Sequence, residues 1–295
     1  MRLGHHRGNR FTLRLRGIEA GRRADVERVL DRLASHGLPN YFGSQRFGRT
    51  GHAAELGRLL VAGDGDGYIR ALVHPDHAGE GGAAAELARV IEAGERGAYR
   101  GLGRLAGALD ADLAALARQL ARRPGSLNSA VRAVPKATRR FHVNALQSLA
   151  FNAVLGRRLA LSGDLALLPG DLAQKHDSLG CFHVEDLPVE TARAERLEIS
   201  PTGPLPGPKM DVPLGPAGEL EAEVLGQLDL ESSSFGGLAG GIGARGARRA
   251  LRVPLGSLCR EWASQDLILS FGLPKGSYAT ALVEELAKRW GGFSP

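Results

Sequence analysis

Cysteine is nearly absent from the 295 residues: Cys181 and Cys259 lie far apart with no C-x-x-C spacing, which excludes a disulfide framework and a zinc knuckle. Both are expected to be buried thiols. Aromatic residues make up only 5%, so the packing must be built largely from alanine and leucine. Long apolar runs are missing as well. The longest uncharged stretch in the middle of the chain, Phe141 to Gly156, carries His142, Asn144, Gln147, Ser148 and Asn152 and is too short and too polar to span a bilayer. No apolar segment follows Met1, Arg2, His5, His6, Arg7 and Arg10, so nothing reads as a secretory signal and the cytoplasm is the expected location. Walker A, G-x-S-x-G and H-E-x-x-H sequences are all lacking, which leaves P-loop, serine-hydrolase and zincin readings without an anchor.

Acidic residues are missing from whole stretches. Between Leu113 and Gly163 there is none, while Arg118, Arg122, Arg123, Arg132, Lys136, Arg139, Arg140, Arg157 and Arg158 contribute positive charge. The opening segment has Arg2, Arg7, Arg10, Arg14, Arg16, Arg22 and Arg23 against Glu19 alone, and Arg245, Arg248, Arg249, Arg252 and Arg260 form a third acid-free cluster. With a net charge of +6, these are candidate phosphate contacts and point towards a nucleic acid. Between Glu185 and Glu231 the balance reverses, and that part is expected to face away from such a partner.

What is present is a mixture of periods. Phe11, Leu13 and Leu15 alternate with Thr12, Arg14 and Arg16, which predicts a half-buried strand. Val26, Val29, Leu30 and Leu33 follow at helical spacing within 24–36, ended by Gly37. Helical patterns recur over 53–61, 83–93, 104–121 and 144–161, with glycine-rich joints at 63–67 and 79–82. The segment 199–208, ISPTGPLPGP, reads as a rigid, turn-rich loop. A short helix is expected near 219–230, strands over 248–253 and 267–273, and a final helix over 277–289. Both ends therefore look α+β and the middle looks like an inserted helical domain.

Three motif-like stretches fail on context. GDGDGYI at 63–69 puts Ala62 and Val73 where a calcium loop needs ligands. GIGARG at 241–246 follows a polar segment and precedes a strand, the reverse of a dinucleotide site. His74 and His77 flank a proline with no further ligands nearby and are expected in a surface loop.

Five segments, in order, carry a resemblance: GNRFTL at 8–13, LPNYFGSQRFG at 38–48, FHVNALQSLAFN at 141–152, PTGPLPG at 201–207 and LPKGSYAT at 273–280. Together they resemble the TruD-type tRNA pseudouridine synthases. The resemblance implies the second half of a pseudouridine-synthase catalytic domain, residues 1–37 and 247–295, split around an inserted, largely helical TRUD domain at 38–246. It implies isomerisation of a uridine, position 13 of tRNA, without cofactor or metal, by a monomer that touches no membrane. The substrate nucleotide must leave its stack, so such a site joins a basic surface to an aromatic side chain against the flipped base. By resemblance Phe11 is that aromatic group and Asn9 its polar neighbour, with Asn40, Gln45, Arg46, Arg139 and Arg140 contacting substrate.

The family's catalytic Asp lies in a G-x-K-D-x-x-A-x-T-x-Q stretch ahead of G-N-x-F, and these 295 residues contain no such stretch. Asp64, Asp66, Asp164 and Asp171 sit in glycine turns and lack that context. Two expectations compete: a start codon assigned too late, or true loss of the catalytic segment. The first is favoured, because a sheet without its first strands exposes an edge and an apolar face. The alternative function is a non-catalytic tRNA-binding protein that grips its partner through the basic tract of 118–158.

Overall fold

The computed structural model describes residues 8–78, 82–95, 97–238 and 241–287. The apolar alternation predicted for the opening segment forms strand β1 (Gly8–Leu15). It pairs antiparallel with a strand from the far end of the chain, Asp266–Pro274, with Phe11 opposite Phe271 and Leu13 opposite Leu269. That distal strand is central. Its other neighbour is Gly256–Ala263, a strand the sequence reading did not identify. Every second residue of the central strand (Leu267, Leu269, Phe271, Leu273) is buried, the period of two expected when one face is covered.

The cover consists of two helices. Helix α1 (Arg23–His36) buries Val26, Val29, Leu30 and Leu33 on one stripe and stops at Gly37, whose φ of 83° a side chain would strain. The terminal helix Ala279–Ala287 adds Ala281, Leu282 and Leu286. Residues 18–38 and 253–286 thus build one core from both ends of the chain.

Between them runs the helical part: α2 (Ala53–Val61), α3 (Gly65–Val73), α4 (Pro75–Ala78), α5 (Gly82–Ala93), α6 (Ala111–Arg122), α7 (Leu127–Ala130) and α8 (Lys136–Ser162). Several boundaries differ from expectation for definable reasons. Residues 63–67 are less a joint than the start of α3, because the Asp64 carboxylate accepts from Gly67 N and caps the helix. The pattern over 104–121 is interrupted: a 3₁₀ segment, Ala98–Gly107, ends before Asp110, which accepts from the backbone N–H groups of Asp112 and Leu113 and opens α6. Helix α8 begins eight residues earlier than predicted, immediately after Pro135, and closes at Gly163 in the left-handed conformation.

Helices α2 and α8 approach closely at Gly57. A Cβ there would stand 2.2 Å from the His142 carbonyl oxygen and 2.8 Å from its carbon, and neither backbone atom can swing away. Gly57→Ala is therefore expected to force the helices apart and to cost about 1–3 kcal/mol. Chemical denaturation of the variant checks this, and a midpoint equal to wild type would refute it.

After α8 come β3 (Leu172–Lys175), β4 (Cys181–His183), helix α9 (Leu187–Glu195), β5 (Ile199–Leu205), α10 (Gly215–Gln227) and β6 (Ala247–Ala250), with sheet order β4-β3-β5-β6. Segment 199–205, expected as a loop, is thus a buried strand. Its prolines are tolerated because the strand changes partner: 199–201 register with β3 and 202–205 with β6. Pro201 contributes through its carbonyl, which accepts from Leu251 N at 2.8 Å. Gly203 lets the strand lie against α8, since a Cβ there would meet the Phe151 ring at 3.1 Å. The expected strand 248–253 is divided at Leu251: β6 joins β5, while β7 (Arg252–Val253) pairs with β2 (Leu38–Pro39). The two following strands are β8 (Gly256–Ala263) and β9 (Asp266–Pro274), and the last helix is α11 (Ala279–Ala287).

Both cysteines are exposed, against expectation. Each sits on a strand at the edge of its sheet, β4 or β8, where alternate side chains face solvent. Arg2, Arg7 and residues 288–289 of the final helical pattern lie outside the described residues. Among the described residues no helix is long and apolar enough to cross a membrane.

Candidate nucleic-acid interface and active-site face

The arginines of the third acid-free cluster turn out to be mostly structural. Arg248 is buried and donates through Nη1 and Nη2 to the two carboxylate oxygens of Glu221, at 2.7 and 2.9 Å, and through Nε to Thr202 Oγ1. Arg252 donates to the carbonyls of Asp164 and Ala194. Arg260 bridges Glu27 and Asp31 on α1. The acidic partners of Arg248 and Arg260 come from other parts of the chain, so for these two the cluster looked acid-free only along the sequence. The central tract divides: Arg139 and Arg158 are buried, whereas Arg118, Arg122, Arg123, Arg132, Lys136, Arg140 and Arg157 are exposed.

Arg139 is therefore a correction. It is only 4% exposed, and its Nε donates to the Val134 carbonyl at 2.9 Å across the turn that starts α8. Burial lowers its affinity for a proton, with Tyr68 opposing, and the side chain serves the helical core instead of facing a substrate. Arg140, its neighbour, points outward.

The remaining candidates fall into two groups. Asn9 is exposed on β1 opposite Leu273 and lines a cavity of about 460 Å³ with Gly8, Arg10, Pro254, Ser257 and Pro274. Phe11 is half-buried and stacks on Phe271, with centroids 5.7 Å apart and an interplanar angle of 28°. No carboxylate lines this cavity among the described residues.

The second group is built by the segment after β2. Asn40 is buried, and every polar atom of its amide is used. Its Nδ2 donates to the Ala250 carbonyl at 2.9 Å, while Oδ1 accepts from Arg249 Nη2 at 2.6 Å and Ser277 Oγ at 3.0 Å. Phe42 is held at its backbone by Asn152 of α8, which accepts from its N–H and donates to its carbonyl. The chain then passes Gly43, where a Cβ would meet Thr280 Oγ1 at 2.6 Å, into a 3₁₀ turn, Ser44–Phe47, carrying exposed Gln45 and half-exposed Arg46. Arg46 and Arg249 both lie over the Phe42 ring, at 5.1 and 4.2 Å from its centroid.

These two groups meet at one turn. Pro274 ends β9 opposite Gly8 of β1, and two residues later Gly276 accepts from Arg249 while Ser277 donates to Asn40. Motif segments 8–13, 38–48 and 273–280, widely separated in sequence, thus converge on one face.

Arg249, Asn152 and Ser277 were not singled out as site residues from sequence. Asn152 and Ser277 sit inside quoted motifs, and Arg249 lay in a cluster read only for its charge. Of the rejected motifs, His74 is exposed as expected, but His77 packs inward on short α4, its ring edge-on to His52 at 4.3 Å. No group of three metal-ligating side chains occurs among the described residues.

A family model described as tRNA pseudouridine synthase D (TruD) matches residues 1–286. The chain belongs to the TruD family. A Geobacter sulfurreducens protein named tRNA pseudouridine synthase D is 41% identical over 300 residues, covering 99% of this chain and 70% of the relative. A Thermus thermophilus protein of the same name is 36% identical, covering 98% of this chain and 60% of the relative. The solved structure of a Methanosarcina mazei TruD protein superposes with a TM-score of 0.80 at 24% identity, over 97% of this chain and 70% of that one. TruD membership accounts for the fold, and the match extends through both sheet regions and the helical part.

Proposed function

We propose that this chain belongs to an enzyme that isomerises a uridine of tRNA to pseudouridine, with position 13 the site that the family resemblance implies. The observation that carries the reading is the convergence of three TruD motif segments around Asn40 and the turn after β9. The shared name of the relatives favours isomerisation over the binding-only alternative.

The reaction breaks the bond from uridine N1 to ribose C1′, turns the base and joins C5 to C1′; C5 then gives up its proton and N1 takes one up, so that the product is an isomer of the substrate. No cofactor is consumed. For this chain's residues the work is to hold RNA and the extruded base. Phe11 offers a partly exposed ring against the base, Asn9 a polar edge at the cavity, Gln45 and Arg140 exposed contacts to RNA and Arg46 a half-exposed one. The catalytic carboxylate implied by resemblance belongs to a Lys-Asp stretch that the 295 residues do not include. The division into a catalytic part, 1–37 and 247–295, and an insert, 38–246, draws support from two cores, one of residues 18–38 and 253–286 and one of residues 56–242, while β6 pairs with β5 and Leu251 packs with Phe42 and Phe151 across the proposed boundary.

The test is tritium release from tRNA transcripts labelled at uridine C5, using the chain as given and the chain carrying its upstream coding frame. Release is expected from the form that contains a Lys-Asp stretch. In that form Phe11→Ala should lower kcat/KM roughly ten- to a hundredfold, the loss of one base-stacking contact of about 1–3 kcal/mol. Silence from both forms overturns the reading.

A further inference from the structure

Ion pairing is dense in this protein, and against that background Arg46 and Arg249 stand out as a couple on one ring; Arg252 also has a buried Nε without a partner, but both its terminal nitrogens are taken up by backbone carbonyls. Neither Arg46 nor Arg249 pairs with an Asp or Glu among the described residues, and each has a buried Nε without a hydrogen-bond partner. Arg249 uses only Nη2, which donates to neutral acceptors: the Asn40 carbonyl, Asn40 Oδ1 and the Gly276 carbonyl. Its guanidinium lies over two rings that meet edge to face, 4.2 Å from the Phe42 centroid and 5.3 Å from that of Phe151. The Arg46 guanidinium makes no hydrogen bond in the described structure and rests on Phe42.

Two partly buried cations beside one ring, without a counter-ion, are costly. Removing a charge from water costs free energy that only pairing recovers, and two like charges repel. Burial, together with the nearby Arg46 charge, brings Arg249 down to about 10, against the opposing influence of Tyr278. The aromatic faces return part of this through cation–π attraction. They also fix the planes of both forks while leaving Arg249 Nη1 and the Arg46 terminal nitrogens free to donate. Exposed Lys275 lies in the turn that supplies Gly276.

We propose that Arg46 and Arg249, braced on Phe42, form a binding site for one phosphate group, supplied by the RNA backbone. This rests on the tRNA reading above and deepens it. Planar guanidinium forks match a phosphate's oxygen geometry, which an ammonium group does not. The site lies between the motif segments that meet at the turn after β9, so a phosphate fixed there positions the strand that presents the extruded nucleotide. Arg249 is then a positioning residue: it orders Asn40 and the Gly276 turn while contributing one donor to the anion.

The experiment measures binding of a tRNA transcript to the 295-residue chain over a range of salt concentrations, together with thermal stabilisation by inorganic phosphate. Arg46→Gln loses no protein hydrogen bond and should fold like wild type. It is expected to weaken tRNA binding several-fold and to reduce the slope of log K against log salt by about one phosphate contact. Arg46→Lys should keep the slope but not the affinity, a split that simple loss of packing would not produce. Arg249→Gln should repeat the slope change, with its melting temperature recorded to separate loss of the Asn40 network. Changes in the tRNA arm, with or without the phosphate arm, support the site. Loss confined to the phosphate arm would mark a free-phosphate site and overturn the RNA assignment. Unchanged slopes in all three variants, with wild type binding tRNA normally, would overturn the phosphate site alone. Failure of wild type to bind tRNA would overturn the functional reading and this site with it.

Discussion

Arg158→Ala is expected to destabilise the folded chain by about 3–5 kcal/mol, the cost of breaking a buried ion pair by removing one partner. Arg158 lies near the end of α8 and donates through Nη1 and Nη2 to Asp171 Oδ1 and Oδ2, both at 2.8 Å, with side chains only 4% and 2% exposed. The same Nη2 reaches the Ala166 carbonyl at 2.7 Å, and Asp171 Oδ2 also accepts from Leu168 N at 2.7 Å. The pair therefore organises the whole turn by which the chain leaves α8 and enters β3. Without the guanidinium, Asp171 would be a buried carboxylate with a single backbone donor, and the turn would have to open to let water reach it. Denaturant unfolding of Arg158→Ala, Asp171→Leu and the double change Arg158→Met with Asp171→Leu checks the account. The double variant should recover most of the loss, because an apolar pair carries no desolvation penalty. A cost below about 1 kcal/mol for Arg158→Ala would place the pair among screened surface bridges and refute it.

Arg158 also shows where sequence reading stops. In the chain it is one of a run of cations with no acid among them, and the phosphate-facing reading followed. A charge run has no record of which members turn inward; Asp171, Glu221, Glu27 and Asp31 become partners only when the strands and helices assemble. The elements that were legible obeyed one period throughout: β1, α1, α2 and β9 each bury a single stripe. Strand β5 was not, because its prolines signal a loop and only its divided pairing makes them harmless. Helix α3 was hidden by glycines that the Asp64 cap overrides. On the site face, GNRFTL, LPNYFGSQRFG and LPKGSYAT were visible as motifs, and the structure brings them together. The role of Arg249 was not visible, since its acceptors are Asn40 and a backbone carbonyl, remote in sequence, and its platform is two rings from different elements.

A second large effect should appear in acid. His142 is 6% exposed within the helical core, with Nδ1 at 3.1 Å from the Tyr68 hydroxyl. Burial, and then the nearby His77, hold its pKa at about 4, below the ordinary value of 6.5. Above pH 6.5 the imidazole is neutral in both folded and unfolded chains and adds nothing to the pH dependence. As pH falls below 6.5 the unfolded chain binds a proton there that the folded chain refuses until about 4, so the folded state loses stability across that window. At about 1.4 kcal/mol per unit, the loss from this one side chain is of the order of 3 kcal/mol. Carboxylates titrate at the lower end too, so the informative quantity is a difference: unfolding free energies of wild type and His142→Gln at pH 7 and pH 4.5. Gln can still accept from Tyr68, and the variant should show the shallower pH dependence. Parallel profiles would mean that the core admits the charged ring. The consequence reaches the site face, because the His142 carbonyl is the atom against which Gly57 seats α2, and α2 follows directly from the turn that carries Arg46. Protonation that loosens α8 at His142 should therefore weaken tRNA binding in acid more in wild type than in His142→Gln, although the residue itself is buried.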